Sequence, residues 1–240
     1  MIPFYFFILG LCIGSFLNVI IIRLHDGASP FKGRSMCPEC KHILSWYELI
    51  PLLSFAIQQG RCRHCHRRIS LQYPLIELST GILFVIVSLQ GPLSPYHLIT
   101  TLFFLCILII TFVTDFRWNL IYDAVVWPGI AVAFFTIPYT LNPNPFWNTL
   151  FAALIGAGVF ALQYVLSRGA WVGSGDILLG GFLGLILGHP TILALLFFTY
   201  VSGSLIALLL MSLGKKKHHD TLPLGCFMCV VGILLLFITS

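Results

Sequence analysis

Two aspartates in this chain lie at the edges of strongly apolar segments. Asp115 follows the apolar run 101–114, and Asp176 ends a Gly-Ser-Gly-Asp sequence directly before the apolar run 177–188. Ionisable side chains are costly at the membrane core, so an aspartate in such a position is a candidate functional residue. Two carboxyl groups that share a site cannot both ionise easily. One can then activate a water molecule while the other donates a proton, which is aspartic protease chemistry.

Each aspartate also has a purely structural interpretation. Asp176 could cap the N-terminus of a helix, and Asp115 could pair locally with Arg117. Two aspartates predicted at the same membrane face favour the catalytic interpretation. Four further residues are predicted to support the site. Gly173 and Gly175 admit unusual backbone conformations or a close substrate strand. Asp123 and Glu77 are carboxylates near helix starts.

A second group of residues is suited to metal binding. Two Cys-x-x-Cys pairs, separated by residues 41–61, have the spacing typical of a tetrahedral zinc site. Neighbouring Lys and Arg residues favour thiolates and offset the charge of four of them. Disulfides are the alternative, but the cytoplasmic location inferred below argues against them. We therefore predict a structural zinc ion, which would substitute for a large core in this insertion, bound by Cys37, Cys40, Cys62 and Cys65.

The composition places these residues in a membrane protein. Of the 240 residues, 58% are hydrophobic and 9% are charged, and the mean hydropathy is +0.98. A soluble core of this length cannot bury so much apolar surface. The fold is therefore predicted to be an all-α polytopic membrane protein with about eight transmembrane helices, at 2–22, 74–90, 95–114, 121–139, 147–167, 177–188, 191–213 and 222–238. The first of these has no basic residue before it and is predicted to be a retained span.

The positive charges orient these spans. With eight crossings, all 13 Lys and Arg residues fall on one side, in the segments 23–73, 115–120, 168–176 and 214–221. The positive-inside rule makes that side cytoplasmic. It also favours a full crossing at 177–188 over a re-entrant segment, which would move the lysines at 215–217 outside. The N-terminus is then outside, and the cysteine insertion and both aspartates are on the cytoplasmic side. This topology and contact with anionic membrane lipid explain the net charge of +5 without a nucleic-acid partner.

The predicted spans divide the chain into three regions. Residues 1–23 form the first transmembrane helix, 24–73 the cytoplasmic zinc insertion, and 74–240 the helical peptidase core. The insertion contains a short apolar stretch, 46–55, that cannot span a bilayer. It is predicted either to lie against the membrane surface or to pack on the insertion itself. The remaining cysteines are interpreted as small packing residues: Cys12, Cys106, Cys226 and Cys229.

These motifs together resemble the type IV prepilin peptidase family. The resemblance covers nearly the whole chain, through the segments 10–20, 44–51, 60–65, 69–77, 115–123 and 173–176 and the paired Cys-x-x-Cys motifs. It implies an eight-span enzyme of the bacterial inner membrane with catalytic aspartates at Asp115 and Asp176 and a zinc-binding cytoplasmic insertion. Members cut prepilin-like proteins after a glycine in a short basic leader. Many also methylate the new N-terminal residue with S-adenosylmethionine.

The chain departs from the family pattern at three places. Residues 115–118 read Asp-Phe-Arg-Trp where many members have Asp-x-Asp-His, and Tyr122-Asp123 stands in place of the usual Pro-Asp. Near the C-terminus, Pro-Leu-Gly-Cys at 223–226 replaces a Pro-Phe-Gly-Pro pattern. These differences bear on the substrate set and leave the pair of aspartates intact. Methylation follows only from the resemblance, because 173–175 lacks the strand and third glycine of a nucleotide-binding loop.

We therefore predict a membrane-embedded aspartic endopeptidase that removes leader peptides from prepilin-like proteins. One alternative is a non-enzymatic assembly component of a pilus or secretion system that docks through its zinc insertion. A second alternative, a transporter, would require polar residues at mid-depth in several spans. In this chain the charged residues stop at one edge of the predicted spans, which argues against transport.

Overall fold

A computed structural model describes residues 1–30, 32–90, 94–136, 146–214 and 222–239. Within these residues the regular secondary structure is helical, apart from two isolated β-bridges, Met36 with Ile43 and Arg61 with Arg68. A short 3₁₀ helix covers Trp46–Leu49. The α-helices are α1 Ile2–His25, α2 Leu53–Ile57, α3 Gln72–Leu89, α4 Pro95–Trp118, α5 Asp123–Thr136, α6 Phe146–Ser167, α7 Ser174–Leu187, α8 Thr191–Ser212 and α9 Leu224–Thr239.

Five of these helices are long and apolar enough to cross a membrane: α1, α3, α4, α6 and α8. Their lengths of 18 to 24 residues correspond to about 27 to 36 Å, against a hydrocarbon core of about 30 Å. Three shorter apolar helices, α5, α7 and α9, occupy the remaining predicted windows. The prediction of an all-helical, multi-pass membrane protein is confirmed. By length alone, five helices qualify as spans rather than eight.

The chain forms two compact units, Met1–Leu93 and Ser94–Ser240. In the first unit α1 packs along α3 through glycines. A Cβ atom on Gly10 would lie 2.7 Å from the Cα of Gly81, and one on Gly14 would lie 2.8 Å from the Cα of Glu77. Small residues allow such close helix contacts inside a membrane. The insertion between α1 and α3 belongs to the same unit, whereas the predicted topological division at 23 and 73 stays a prediction.

In the second unit α7 is the central helix, in contact with α5, α6, α8 and α9. Its side chains Leu179, Phe182 and Leu183 are fully buried. Gly180 faces Gly156 of α6 so closely that a Cβ atom on Gly180 would lie 2.7 Å from the carbonyl oxygen of Gly156. Helix α4 packs against α5 and α9. The end of α4 and the beginnings of α7 and α9 are the parts of this unit that carry the candidate site.

Part of the basis for the predicted orientation lies outside the described residues. This applies to the lysines at 215–217 and to most of the connections 91–94 and 140–146. The arrangement of the spans relative to the two membrane faces therefore stays a prediction.

Candidate active site

Asp115 lies in the last turn of α4 and is 5% exposed. Its Oδ2 accepts a hydrogen bond of 2.7 Å from the backbone N–H of Cys226, in the first turn of α9. The helix ends at Trp118, and the left-handed backbone of the cap residue Asn119 and its N–H bond to the Asp115 carbonyl close the last turn. Two helices that are distant in sequence thus fix the carboxylate of Asp115.

Asp176 is the third residue of α7 and is 8% exposed. Its Oδ2 accepts a 2.9 Å hydrogen bond from the backbone N–H of Gly173, the residue that caps the helix. A carboxylate at this position commonly returns to the cap residue in this way, so the capping interpretation from the sequence has a structural counterpart. Gly173 has a φ of −80°, which is open to any residue. Gly173 contributes to the site through its backbone N–H group.

The two carboxyl groups are near enough to interact electrostatically. Both are buried, and each has one oxygen held by a backbone N–H group from a helix start. A close pair of buried carboxyls holds one proton between them, because ionising both would place two negative charges together away from water. The arrangement can therefore supply one acid and one base to a bound substrate.

Ile121, in the connection between α4 and α5, packs between glycines on both sides of the site. A Cβ atom on Gly175 would lie 2.6 Å from the Cβ of Ile121. A Cβ atom on Gly225 would lie 3.0 Å from the Cδ1 of Ile121 and 2.9 Å from the Oδ2 of Asp115. Both positions therefore lack room for a side chain. Gly175 was selected from the sequence, whereas Gly225 was not.

Two further residues interact with the aspartates and are not predicted by the sequence. The backbone of Cys226 bonds Asp115, although Cys226 was interpreted only as a packing residue. Tyr200 of α8 interacts electrostatically with Asp176 and accepts a hydrogen bond from the side chain of Gln163. The Pro-Leu-Gly-Cys segment at the start of the last helix is the one sequence feature that points to this part of the site. Residue types reveal neither a backbone contact nor the role of a tyrosine inside an apolar helix.

The two acidic residues predicted to support the site occupy different surroundings. Asp123 is the first residue of α5 and is exposed, as expected for a carboxylate at a helix start. Glu77 lies in the first unit, where it is buried and its Oε2 accepts a 2.8 Å hydrogen bond from the backbone N–H of Leu52. Glu77 also accepts a hydrogen bond from the side chain of Ser15, so it contacts both the insertion and α1. A supporting role in catalysis for either residue stays a prediction.

The four predicted cysteine ligands converge on one point. Their four Sγ atoms all lie within 4.8 Å of one another, and those of Cys37 and Cys65 are 3.9 Å apart. Tetrahedral zinc with bonds of about 2.3 Å requires sulfurs about 3.8 Å apart. Backbone N–H groups of Cys65 and His64 lower the pKa of the Cys62 thiol to about 7. The cluster of Cys37, Cys40, Cys62 and Cys65 thus fits a metal ion.

The two Cys-x-x-Cys turns, hereafter the knuckles, have the same backbone structure. In the first, Cys37 donates to the His42 carbonyl and accepts from Lys41, and in the second Cys62 makes the equivalent bonds with Arg67 and His66. Lys41 and His66 are both left-handed, with φ of 59° and 56°. His42 and His64 stack with ring centres 3.5 Å apart and lie outside the cysteine cluster.

Two protein-family models match the chain. Residues 8–90 match the model of the bacterial peptidase A24 N-terminal domain, and residues 102–208 match that of the type IV leader peptidase family. No solved structure gives a significant match.

Several curated proteins named prepilin leader peptidase/N-methyltransferase are similar to the chain. The protein from Bacillus subtilis is 33% identical over 95% of this chain and 91% of its own length. That from Vibrio cholerae is 34% identical over 76% of each. The protein from Myxococcus xanthus is 37% identical over 86% of this chain, and the match covers 62% of the length of that protein. The chain therefore belongs to the type IV leader peptidase family, and its relatives include proteins named prepilin leader peptidase/N-methyltransferase.

Proposed function

We propose that this protein is an intramembrane aspartic endopeptidase that removes the leader peptide of type IV prepilin-like proteins. The observation that carries the proposal is the pair of buried, mutually interacting carboxylates of Asp115 and Asp176. Their helices differ, yet each carboxylate is fixed by a backbone N–H group. Membership of a peptidase family adds independent support.

In the proposed reaction one carboxylate accepts a proton from a water molecule as the water oxygen attacks the scissile carbonyl carbon. The other carboxyl protonates the carbonyl oxygen. As the tetrahedral intermediate collapses, the first carboxyl passes the proton that it took from water to the leaving nitrogen, and the second recovers its proton from a hydroxyl of the intermediate. The C–N bond breaks, which leaves a carboxylate on the leader and a free amine on the mature protein. Because the two groups exchange protons with each other, the pair rather than one residue is the catalytic unit.

The cleavage is proposed to follow a glycine at the cytoplasmic face of the bacterial inner membrane. The substrate's apolar N-terminal helix would approach laterally within the bilayer. We further propose that all eight apolar helices cross the membrane, with the N-terminus outside and both aspartates on the cytoplasmic side. The eight helices at the eight predicted windows and the one-sided distribution of Lys and Arg support this topology.

We also propose that the protein methylates the new N-terminal residue with S-adenosylmethionine as donor. The names of the curated relatives support this activity, and no residue of this chain is assigned to it.

The metal at the cysteine cluster is proposed to be zinc, since four thiolates at tetrahedral spacing are its preferred structural ligands. Its role would be to hold the two knuckles together.

The catalytic proposal is tested by Asp115→Asn and Asp176→Asn, which remove ionisation and preserve shape. Each variant should cleave a prepilin substrate about 10³-fold more slowly or worse, while it accumulates in the membrane like the unmodified protein. Asp26→Asn, at an exposed position directly after α1, provides a matched control and should retain most activity. Normal cleavage by the Asp176→Asn variant would overturn the proposal and favour a non-enzymatic assembly role.

A further inference from the structure

The short helix α2 in the zinc insertion is tied to a membrane-spanning helix of the same unit. Glu77, the sixth residue of α3, accepts the 2.8 Å hydrogen bond from the N–H of Leu52, directly before α2. Glu77 is buried, and Leu52 has a φ of 58°, a left-handed conformation that is rare for leucine. The beginning of α2 is therefore fixed at the second turn of α3.

The length of α3 sets the depth of this contact. Its 18 residues extend about 27 Å, so a span across a core of about 30 Å requires the entire helix. Gln72 then lies at the membrane boundary, and Glu77 lies about 7.5 Å further along the helix axis. Interfacial helices bury their apolar faces about 5 to 10 Å into the boundary between headgroups and acyl chains. The Leu52 contact is at this depth.

The segment 46–57, which includes this contact, exposes large apolar side chains. Trp46 is 77% exposed, Leu53 is 53% exposed and Ile57 is 61% exposed. Leu53 and Ile57 are four residues apart and share one face of α2. Such exposure is unfavourable in water but favourable at the membrane boundary, where tryptophan is also enriched.

Positive charge adjoins these apolar residues. A shallow cavity of about 610 Å³ beside α2 is lined by Ile57, Arg61 and Arg63, among others. The Arg63 guanidinium lies 5.2 Å from the ring centre of Tyr47, the neighbour of Trp46. Neither arginine forms an ion pair within the described part of the chain. Guanidinium groups bind phosphate oxygens through paired N–H groups, so the cavity suits an anionic headgroup.

From these contacts we propose that residues 46–57 form an interfacial anchor that binds anionic phospholipid. Trp46, Leu53 and Ile57 enter the boundary between headgroups and acyl chains, and Arg61 and Arg63 contact the lipid phosphates. The bond from Leu52 to Glu77 sets the depth of the anchor. This selects the membrane surface over packing on the insertion, the two placements that the sequence left open. The proposal is independent of the catalytic role of the aspartates.

The test uses the full-length protein with Trp46 as its single tryptophan, the other four being replaced by Phe. In nanodiscs that contain phosphatidylglycerol, lipids brominated near the start of the acyl chain should quench its fluorescence, and aqueous acrylamide should quench it weakly. Replacing Glu77 by Leu should make Trp46 more accessible to acrylamide, because the depth anchor is lost. Strong acrylamide quenching without bromine quenching in the unmodified single-tryptophan protein would overturn the proposal.

The charge dependence is tested by replacing phosphatidylglycerol with phosphatidylcholine. Bromine quenching should decrease, and this lipid dependence should disappear in the Arg61→Gln/Arg63→Gln variant. The matched variant Arg34→Gln/Lys41→Gln removes the same charge elsewhere in the insertion and should retain the dependence. Zinc content, measured in each preparation, separates loss of charge from loss of the metal site. Equal quenching in both lipids would overturn the role of anionic lipid.

Discussion

Gly225 shows how closely the residues around the aspartates are packed. A Cβ atom at this position would lie 2.9 Å from Asp115 Oδ2, within the contact distance of unbonded atoms. The next residue, Cys226, donates its N–H to the same oxygen. Asp115 therefore keeps its place only while the start of α9 can approach without a side chain.

Replacing Gly225 by Ala should displace the Asp115 carboxylate and lower kcat, by about 10²-fold for a shift near 1 Å. The matched change Gly181→Ala, within α7, places a Cβ atom 3.5 Å from Ala157 Cβ, an ordinary contact. It should leave kcat nearly unchanged. Cleavage of a prepilin peptide by both variants in nanodiscs measures the difference. Equal rates would show that the carboxylate tolerates displacement at this point.

At the residue scale the sequence identifies charged and metal-binding side chains better than backbone contacts. Asp115 and Asp176 stand out because carboxylates are rare beside apolar runs. The sequence does not reveal the N–H groups of Gly173 and Cys226 that bind these carboxylates, because every residue except proline carries a backbone N–H. Tyr200 is likewise inconspicuous within an apolar helix. Such contacts require the fold.

At the scale of elements, the zinc insertion illustrates what spacing predicts and what it omits. The spacing of the four cysteines predicted one metal cluster, and the sulfurs do converge. The repeated turn was not predicted, because its left-handed positions hold Lys41 and His66, whereas glycine is the usual signal for such a backbone. The hydrogen bond from the Leu52 N–H to Glu77 was likewise not predicted, because no sequence pattern links these two residues.

The Cys37→Ser and Cys62→Ser variants should each lose most of the bound zinc, because three thiolates hold the ion much less firmly than four. Cys12→Ser provides the control, since Cys12 lies in α1 away from the cluster. Metal analysis of the purified proteins measures zinc per chain. An unmodified protein without zinc, or a Cys37→Ser variant with full occupancy, would contradict the assignment.

Acidification should also release the metal. Backbone N–H groups lower the pKa of the Cys62 thiol to about 7, whereas burial and the neighbouring cysteine sulfurs raise the pKa of Cys65 to about 11. Zinc binds the thiolates, so protons compete with zinc for all four sulfurs as the pH falls, and the affinity decreases. Titration with a zinc-sensitive dye from pH 8 downward should show progressive release. Retention unchanged at pH 5 would contradict thiolate coordination with this proton linkage.

At the scale of the whole molecule, composition predicted a helical membrane protein and the apolar windows located its helices. The number of crossings depends on α5, α7 and α9, which are too short to qualify by length. Short helices can cross where the bilayer thins or where other helices surround them, and sequence windows do not report either condition. This is why the fold class could be predicted and the number of spans could not be fixed.

Tags at the two ends of the chain distinguish the possible topologies. Eight crossings are an even number and place both ends on the outer side, whereas five crossings place them on opposite sides. We expect tags at both ends to react with a membrane-impermeant reagent in intact cells. Labelling at one end only would contradict the eight-span topology. A tag placed within the insertion should react only after the cells are opened.

Helix α7 supplies 14 residues, about 21 Å of helix in a membrane whose core measures about 30 Å. If α7 crosses the membrane as proposed, a thinner bilayer or neighbouring helices at its ends must make up the shortfall. A thinner bilayer at this point would bring the start of α7, and with it Asp176, closer to the aqueous phase. That phase supplies the water that the proposed hydrolysis consumes.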